Sequence, residues 1–255
     1  GTSMDGIDAS LIRTNGEKNI DIIGNLYIKY DSELKNSLSN FCKKINSLQD
    51  LEYNQTEYNK LERKITIKHS EIASKICKKF SFNPKIIGFH GQTILHIPEK
   101  KFSLQLGDAK LLSQLKKISI VYNFRQNDLE NGGQGAPLAP IFHKLLVNKK
   151  KIQTPITILN LGGIANITLI DKNNKISSSD IGPGNCLIDN WIRLNSKLNF
   201  DEKGALARSG KINQIILNQS LDNFYENHIS KKKSFDTKDF DLSFVRGLSL
   251  EDGAA

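Results

Sequence analysis

The chain has 255 residues, of which 38% are hydrophobic and 25% charged, and its formal net charge is +9 at pH 7. A chain of this length can bury a substantial core in one large domain or two smaller ones. No apolar run in the sequence approaches the length of a membrane span, so we expect no membrane partner. Cys42, Cys77 and Cys186 are odd in number and widely spaced, which argues against a disulfide framework or a zinc site and favours a reduced, cytoplasmic setting.

The basic balance suggests a nucleic-acid partner at first sight, but the pattern of the cations argues against one. Most are lysines scattered through predicted helices and turns, with short runs at residues 149–151 and 231–233. Such runs are usually solvated surface, and no aromatic residues interleave with them as binding to a single strand requires. We therefore expect no nucleic-acid partner.

The N-terminal stretch predicts a hairpin followed by a helix. Residues 6–12 alternate as a strand does, and Asn15-Gly16 is a strong hairpin signal. Residues 20–30 predict the returning strand, and Asp31 can cap a helix that continues through Leu48.

The middle of the chain alternates helical and strand patterns. Apolar residues at helical spacing predict a helix within residues 51–80, which the sequence Phe82–Pro84 breaks. Further elements are predicted as strands at 86–89, 102–106 and 118–124, a helix at 108–117, and a helix from Pro137 to Val147. The polar, glycine-rich stretch 125–135 predicts a loop. Such alternation indicates an α/β fold with mixed sheets.

Residues 156–194 predict three strands and a helix. The strands are 156–161, 164–170 and 176–181, and the helix that follows carries Leu187, Ile188, Trp191 and Leu194 on one apolar face. Residues 220–233 predict a further helix, and 234–241 predict an exposed polar segment.

This β-β-β-α pattern resembles the N-terminal stretch, which suggests a duplicated unit. Each copy has a turn of small residues, Gly1-Thr2-Ser3 in the first and Gly162-Gly163 in the second. Backbone N–H groups at such turns can approach phosphate oxygens closely. Two facing turns could therefore hold a polyanion between them.

Six motifs, in order along almost the whole chain, carry a specific resemblance. They are GTSMDGID (1–8), GFHGQTILH (88–96), LQLGDA (104–109), NFRQNDLENGGQGAPLAP (123–140), LNLGGIANIT (159–168) and DIGPGNCLIDNW (180–191). With them the chain resembles the 1,6-anhydro-N-acetylmuramic acid kinase family of the acetate and sugar kinase/Hsc70/actin superfamily. The resemblance implies a duplicated, ribonuclease H-like, two-lobed fold with a cleft between lobes at 1–127 and 128–255.

The resemblance also implies a reaction. An ATP-dependent kinase would open the 1,6-anhydro sugar with water and phosphorylate O6, giving N-acetylmuramic acid 6-phosphate and ADP in cell-wall recycling. Asp180 matches the carboxylate that activates the water; the alternative is that it only caps the following helix.

The phosphate-binding and metal-binding groups follow the same resemblance. Asp5 is expected to hold Mg²⁺ through water. ATP and its phosphates are expected to bind the residues Gly1, Thr2, Ser3, Met4, Asp5, Gly6, Ile7, Asp8, Gly162 and Gly163.

Sugar recognition is expected from residues that follow predicted strands. Arginine can bind a carboxylate through two parallel hydrogen bonds, and the sugar carries a lactyl carboxylate. The candidate residues are His90, Gln92, Thr93, Arg125, Asp128, Gly184 and Asn185. Three plainer alternatives stay open: His90 as a structural hydrogen-bonding residue, an Arg125–Asp128 surface ion pair, and Asn185 as a helix cap.

Other functions also stay open on the sequence alone. One is a kinase or phosphatase of the same superfamily with another substrate, and another is a non-catalytic nucleotide switch. The chain begins without the strand that precedes GTS in the family and lacks the family's later, adenosine-binding part, so we expect a fragment of a longer protein. The family's dimers suggest a homodimer.

Overall fold

A computed structural model describes residues 4–228, 235 and 237–255. The chain divides into two compact units, Gly1–Leu138 and Ala139–Ala255, which are described separately below. Each unit combines helices with small sheets, so the predicted α/β class is confirmed at that level. Residues 1–3, the first turn of small residues, lie outside the described part of the chain.

The first unit begins with an antiparallel hairpin and continues with helices and short strands. Its elements, in order, are β1 (Gly6–Thr14), β2 (Ile20–Lys29), α1 (Ser32–Lys44), α2 (Leu48–Tyr53), α3 (Gln55–Phe80), β3 (Ile86–Gly88), β4 (Gln92–Ile97), β5 (Phe102–Leu106), α4 (Ala109–Lys116), β6 (Ser119–Val121) and α5 (Phe124–Glu130). β1 pairs with β2 and β4 with β5, both antiparallel, and β3 pairs with β6 in parallel.

Local sequence signals explain the start of this unit. The Asn15 side chain accepts the backbone N–H groups of residues 17, 18 and 19, which closes the predicted hairpin turn. Asp31 accepts the N–H of Leu34 at 2.8 Å and caps α1, as predicted. α1 ends at Lys44 instead of continuing through Leu48, because Ser47 starts a separate capped helix, α2.

The core of the first unit lies between the hairpin and the long helix α3. The apolar stripe predicted on α3 is buried, and Leu61, Ile65 and Ile72 pack in one cluster with Phe41 of α1 and Leu106 of β5. The apolar residues of the stripe recur with the 3.6-residue period of an α-helix, so they lie on one face. Burial of that face holds the 26-residue helix against the sheets.

Two elements of the first unit differ from the sequence prediction. Residues 92–97, for which the sequence predicted no strand, form β4, because β5 offers a neighbouring strand to pair with. The stretch 125–135, also predicted as a loop, begins with helix α5, and the predicted strand 118–124 shortens to β6. Arg125 and Asp128 therefore project from a helix.

The second unit is built on the predicted three-stranded sheet. Its elements are α6 (Ala139–Lys149), β7 (Ile156–Leu161), β8 (Ile164–Ile170), β9 (Ile176–Pro183), α7 (Cys186–Asn195), α8 (Ala205–Ser209), α9 (Gln214–His228) and α10 (Leu250–Ala254). The strands are antiparallel in the order β7-β8-β9, so the glycine turn and the polar turn of the sequence are both hairpins. α6 begins at Ala139, two residues after Pro137, where the sequence predicted its first turn.

The second unit also contains a small hydrophobic cluster around Trp191. Trp191 is 6% exposed, packs with Ile192, Val245 and Ala254, and donates its indole N–H to the carbonyl of Leu250 at 2.9 Å. Its predicted place in the core is confirmed. Leu194 is 76% exposed, so the prediction that it shares the buried face of α7 is wrong.

Within the described ranges 4–228 and 237–255, none of the helices combines the length and apolar character needed to cross a bilayer.

Candidate active site

The glycine turn of the second unit is tied by its carbonyls to the start of α7. Gly162 O accepts the N–H of Asn185 at 2.7 Å, and Gly163 O accepts the N–H of Gly184 at 2.9 Å and that of Cys186 at 3.2 Å. A Cβ on Gly184 would lie 2.3 Å from Gly162 O, so only glycine permits this approach. The turn and the helix N-terminus therefore form one rigid assembly.

Asp180 lies on β9, near the glycine turn in the same sheet. Its Cα partner on β8 is Asn166, whose own partner on β7 is Asn160, so three polar residues form one row across the sheet. A β-bulge lies directly after Asp180 on β9. Asn166 pairs with Asp180 and Ala165 pairs with Gly182, so Ile181 is the extra, unpaired residue. The row ends at the Asp180 carboxylate, in the same sheet as the Gly162-Gly163 turn that is expected to bind phosphate.

Asp180 accepts a backbone hydrogen bond and is partly buried. Its Oδ2 receives the N–H of Phe235 at 3.0 Å. Burial raises the pKa of this carboxyl above its ordinary value, and the Phe235 N–H opposes that rise. Residue 185 occupies the N-cap position of α7, so the alternative that Asp180 caps this helix is wrong.

The hydrogen bond from the Phe235 N–H to the candidate residue Asp180 was missed by the sequence prediction. Residues 234–241 were expected to be an exposed polar segment, although Ser234 and Asp236 themselves lie outside the described residues. Phe235 and Phe240 are partly buried instead and pack against Phe224. The sequence offers no signal for this contact, because it is made by a backbone N–H and because residues 224, 235 and 240 follow no regular spacing.

The residues expected to recognise sugar in the second unit lie at the same turn. Gly184 is held against Gly162 as described above. Asn185 donates its side-chain N–H to the carbonyl of Leu161 at 3.4 Å, a long contact, and makes no side-chain bond to its own helix. Its side chain thus joins the turn rather than capping α7.

In the first unit, His90, Arg125 and Asp128 come together around Gly135. The Arg125 Nε–H donates to His90 Nε2 at 2.9 Å and its Nη1–H donates to Gly135 O at 2.8 Å. Asp128 Oδ2 accepts the N–H of Gly135 at 2.7 Å. Arg125 and Asp128 bind opposite sides of one residue instead of each other, so the surface ion-pair alternative is wrong.

This network fixes the state of His90. The ring Nδ1 lies 2.8 Å from Gly91 O, which only accepts, so Nδ1 carries the proton and Nε2 accepts from Arg125. Burial lowers the pKa of His90, the Gly91 carbonyl opposes that change, and the Arg125 charge adds to it. His90 is therefore a neutral ring that orients the guanidinium.

Gln92 and Thr93 are the first two residues of β4. Gln92 is 3% exposed, and its side-chain N–H donates to Thr93 O across a long 3.4 Å. The Thr93 hydroxyl is buried and has no hydrogen-bond partner among the described residues. A buried hydroxyl of this kind suits a water or a ligand group.

The described residues of the first motif, 4–8, differ in their burial and in their contacts. Ile7 is buried in the core, while Asp8 is exposed. Asp5 Oδ1 forms an ion pair with Lys35 Nζ at 2.6 Å, and the Asp5 side chain is 46% exposed. Met4 precedes it with φ +55°, and a Cβ on Gly6 would lie 2.4 Å from Ile28 O. Among the described residues, no cluster of three His, Cys, Asp or Glu side chains could hold a metal by itself.

Sequence comparison assigns this chain to a family. The family model of anhydro-N-acetylmuramic acid kinase matches residues 1–250. The chain is 54% identical to the anhydro-N-acetylmuramic acid kinase of Pelagibacter ubique, with 99% of this chain and 68% of the relative aligned. It is 39% identical to that of Rhodospirillum rubrum, with 100% and 66% aligned, and 36% identical to that of Zymomonas mobilis, with 100% and 71% aligned.

The chain spans about two-thirds of the length of these relatives. The predicted resemblance is confirmed by both comparisons, and the chain belongs to the anhydro-N-acetylmuramic acid kinase family of sugar kinases.

Proposed function

We propose that this protein catalyses the ATP-dependent opening and phosphorylation of 1,6-anhydro-N-acetylmuramic acid, giving N-acetylmuramic acid 6-phosphate and ADP in cell-wall recycling. The observation that carries the proposal is Asp180: a partly buried carboxylate with a raised pKa, in the same sheet as the glycine hairpin. A carboxylate of raised pKa is a better proton acceptor near neutral pH.

Asp180 is the general base in this reaction. It takes a proton from water as the water oxygen bonds to the anomeric carbon. The C1–O6 bond breaks, and the released O6 accepts the γ-phosphoryl group from ATP, which leaves as ADP. Water, anhydro sugar and ATP are thus consumed together, and no covalent enzyme intermediate is needed.

Gly162 and Gly163 are proposed to bind the phosphates of ATP, together with the first motif, residues 1–8. The contacts of the Gly162 and Gly163 carbonyls with residues 184–186 support this role, because they fix the direction of the turn. We further propose that the two compact units are the two lobes of a duplicated, ribonuclease H-like fold. Each unit has an antiparallel hairpin, β1-β2 or β7-β8, and a helix follows the last strand of each sheet, α1 after β2 and α7 after β9, which supports the duplication.

Asp5 fits a water-mediated role in holding Mg²⁺. Mg²⁺ bound to nucleotide phosphates keeps several waters and uses one or two carboxylates, so a single half-exposed Asp is sufficient. A bound Mg²⁺ neutralises charge on the phosphate oxygens. Lys35 keeps the Asp5 carboxylate in place.

Arg125 is proposed to bind the lactyl carboxylate of the sugar. Its Nε and Nη1 are engaged by His90 and Gly135, so the guanidinium is held in one plane and Nη2 offers two further N–H groups. The neutral His90 leaves the positive charge of Arg125 undiminished. Thr93 and Asn185 are the other groups that we propose to contact sugar, and buried Gln92 supports that surface from within.

We also propose a cytoplasmic enzyme, because its reaction consumes ATP and because Cys42, Cys77 and Cys186 are not joined in disulfides. A homodimer is proposed from the family resemblance alone, and light scattering of the purified protein tests it.

The function is tested by measuring N-acetylmuramic acid 6-phosphate formed from the anhydro sugar, ATP and Mg²⁺ by the full-length protein. Asp180→Asn should reduce turnover by at least about 100-fold, the usual contribution of a general base. Glu17→Gln, which removes the charge of an exposed acid in the turn between β1 and β2, is the matched control and should not change turnover. Turnover in Asp180→Asn equal to the control would remove Asp180 from the base role.

A further inference from the structure

Three phenylalanine side chains form a compact cluster beside Asp180. The ring centroids of Phe224 and Phe235 are 5.8 Å apart, those of Phe224 and Phe240 6.2 Å, and those of Phe235 and Phe240 5.4 Å. Each ring is partly buried. These separations lie in the range of favourable aromatic pairs, so each ring restrains the other two.

The cluster is anchored on the strand that carries Asp180. A Cβ on Gly182, two residues after Asp180, would lie 3.2 Å from Phe224 Cζ. Gly182 has φ +148°, a conformation that side chains rarely adopt, so this position favours glycine twice over. Phe224 of α9 therefore packs directly on β9.

The segment held by this cluster contacts two proposed functional groups. The Phe235 N–H donates to Asp180 Oδ2 at 3.0 Å. Two residues later, Thr237 Cγ2 lies 3.6 Å from where a Cβ of Gly163 would be. Residues 235 and 237 thus lie against the carboxylate and the glycine turn of the same unit.

We propose, on the basis of the proposed role of Asp180, that the Phe224–Phe235–Phe240 cluster is a positioning device for that carboxylate. Packing of the rings presents the Phe235 N–H to Oδ2 and directs Oδ1 toward the attacking water. Phe240 contributes through Phe235, and it is a positioning residue.

The arrangement also affects the ionisation of Asp180. Burial and the Phe235 N–H act in opposite directions on the pKa of this carboxyl. If the hydrogen bond from the Phe235 N–H is weakened, burial therefore raises the pKa of Asp180 further. The helices α6 and α9, which pack against β9, carry His143, Lys144, Lys149, Asp222, Tyr225 and Glu226 among their ionisable residues; Lys175 lies just before β9, and Asp239 follows Phe235. His143 is engaged by Thr168 and Lys144 by the carbonyl of Asn174.

The test is the pH dependence of kcat for Phe240→Leu, which removes a ring but keeps an apolar side chain. We expect kcat to fall about tenfold and the acidic limb of the profile to move to higher pH by about half a unit or more. KM for ATP and for the sugar should stay within about twofold. The matched control is Phe200→Leu, an exposed phenylalanine of the same unit, which should keep the wild-type profile.

A second variant removes the donor itself. Phe235→Pro lacks the backbone N–H and should shift the limb further than Phe240→Leu does. Circular dichroism establishes that each variant is folded, and Phe224→Leu replaces Phe240→Leu if that variant does not fold. A wild-type acidic limb in the folded ring variant would overturn the positioning role, even if kcat falls.

Asp180→Asn, measured in parallel, separates this inference from the proposed function. If Asp180→Asn keeps wild-type turnover, the assignment of the base is wrong. If Asp180→Asn is inactive while the ring variants keep the wild-type limb, the base stands and only the positioning role fails.

Discussion

Arg125 donates its Nε–H to His90 Nε2 at 2.9 Å, across 35 residues of sequence. The bond joins the loop between β3 and β4 to helix α5, so residues of two separate sequence motifs lie together. Because His90 accepts this bond through Nε2 and donates through Nδ1, the pair defines both the tautomer of the ring and the plane of the guanidinium.

Arg125→Lys tests this surface. A lysine has one ammonium group and cannot reproduce the fork that reaches His90, Gly135 and a ligand carboxylate together. We expect KM for the sugar to rise about tenfold or more, since a hydrogen bond to a charged group contributes about 1.5–3 kcal/mol. Steady-state kinetics measure the change, and KM for ATP should be little affected. Arg63→Lys on the exposed face of α3 is the control; an equal rise in both variants would contradict the role of Arg125.

Gly184→Ala tests the contact between the glycine turn and α7. The new Cβ would lie 2.3 Å from Gly162 O, so the turn and helix must separate. We expect the free energy of unfolding to fall by about 1–3 kcal/mol, the usual cost of overpacking. Denaturant unfolding measures it. Gly88→Ala is the control, because its Cβ would make an ordinary contact at 3.5 Å with the Phe124 ring. A Gly184→Ala protein as stable as that control would refute the close approach.

Asp180→Asn should stabilise the protein at neutral pH. Burial raises the folded-state pKa of Asp180, so the folded state binds the proton more tightly than the unfolded state does. The favourable contribution of Asp180 is present below its unfolded pKa and is lost as pH rises through the folded pKa. Above that pH the variant avoids burying a charge, and the gain should vanish in acid. Thermal melts between pH 3 and 8 measure the difference, and a constant difference at every pH would contradict it.

His69 should make the first unit acid-sensitive. Burial lowers its pKa to about 4, while its Nδ1 lies 2.8 Å from Ile65 O and its ring meets Phe89 edge-on. The unfolded state binds the proton first as pH falls, so stability is complete above about pH 6.5 and is lost toward pH 4. His69→Phe, which keeps an aromatic contact, should flatten the stability profile between these limits. An unchanged slope in denaturant unfolding against pH would show that other groups cause the loss.

The sequence predicted those parts of the fold that local patterns determine. The apolar period of α3, the cap at Asp31 and the alternation of β7, β8 and β9 are all properties of neighbouring residues. β4 was missed because Gly91 and the polar Gln92 and Thr93 read as a loop, and only pairing with β5 makes them a strand.

For the candidate site as well, some features could be predicted from the sequence and others could not. Asp180 and the glycine turn could be chosen from sequence, because carboxylates and small-residue turns have recognisable chemistry. The Phe235 N–H could not, since every residue except proline carries that donor and its use here depends on rings 11 and five residues away along the chain. Arg125 and Asp128 were considered as an ion pair, but they share the backbone of Gly135 as a partner instead of binding each other.

The central claim is that Asp180 activates water for attack on the anomeric carbon. The most direct measurement is mass spectrometry of the product formed in ¹⁸O-labelled water from the anhydro sugar, ATP and Mg²⁺. The account predicts N-acetylmuramic acid 6-phosphate with one ¹⁸O at the anomeric position and none in the phosphoryl group. Label in the phosphoryl group, or a phosphorylated sugar with no label, would contradict it.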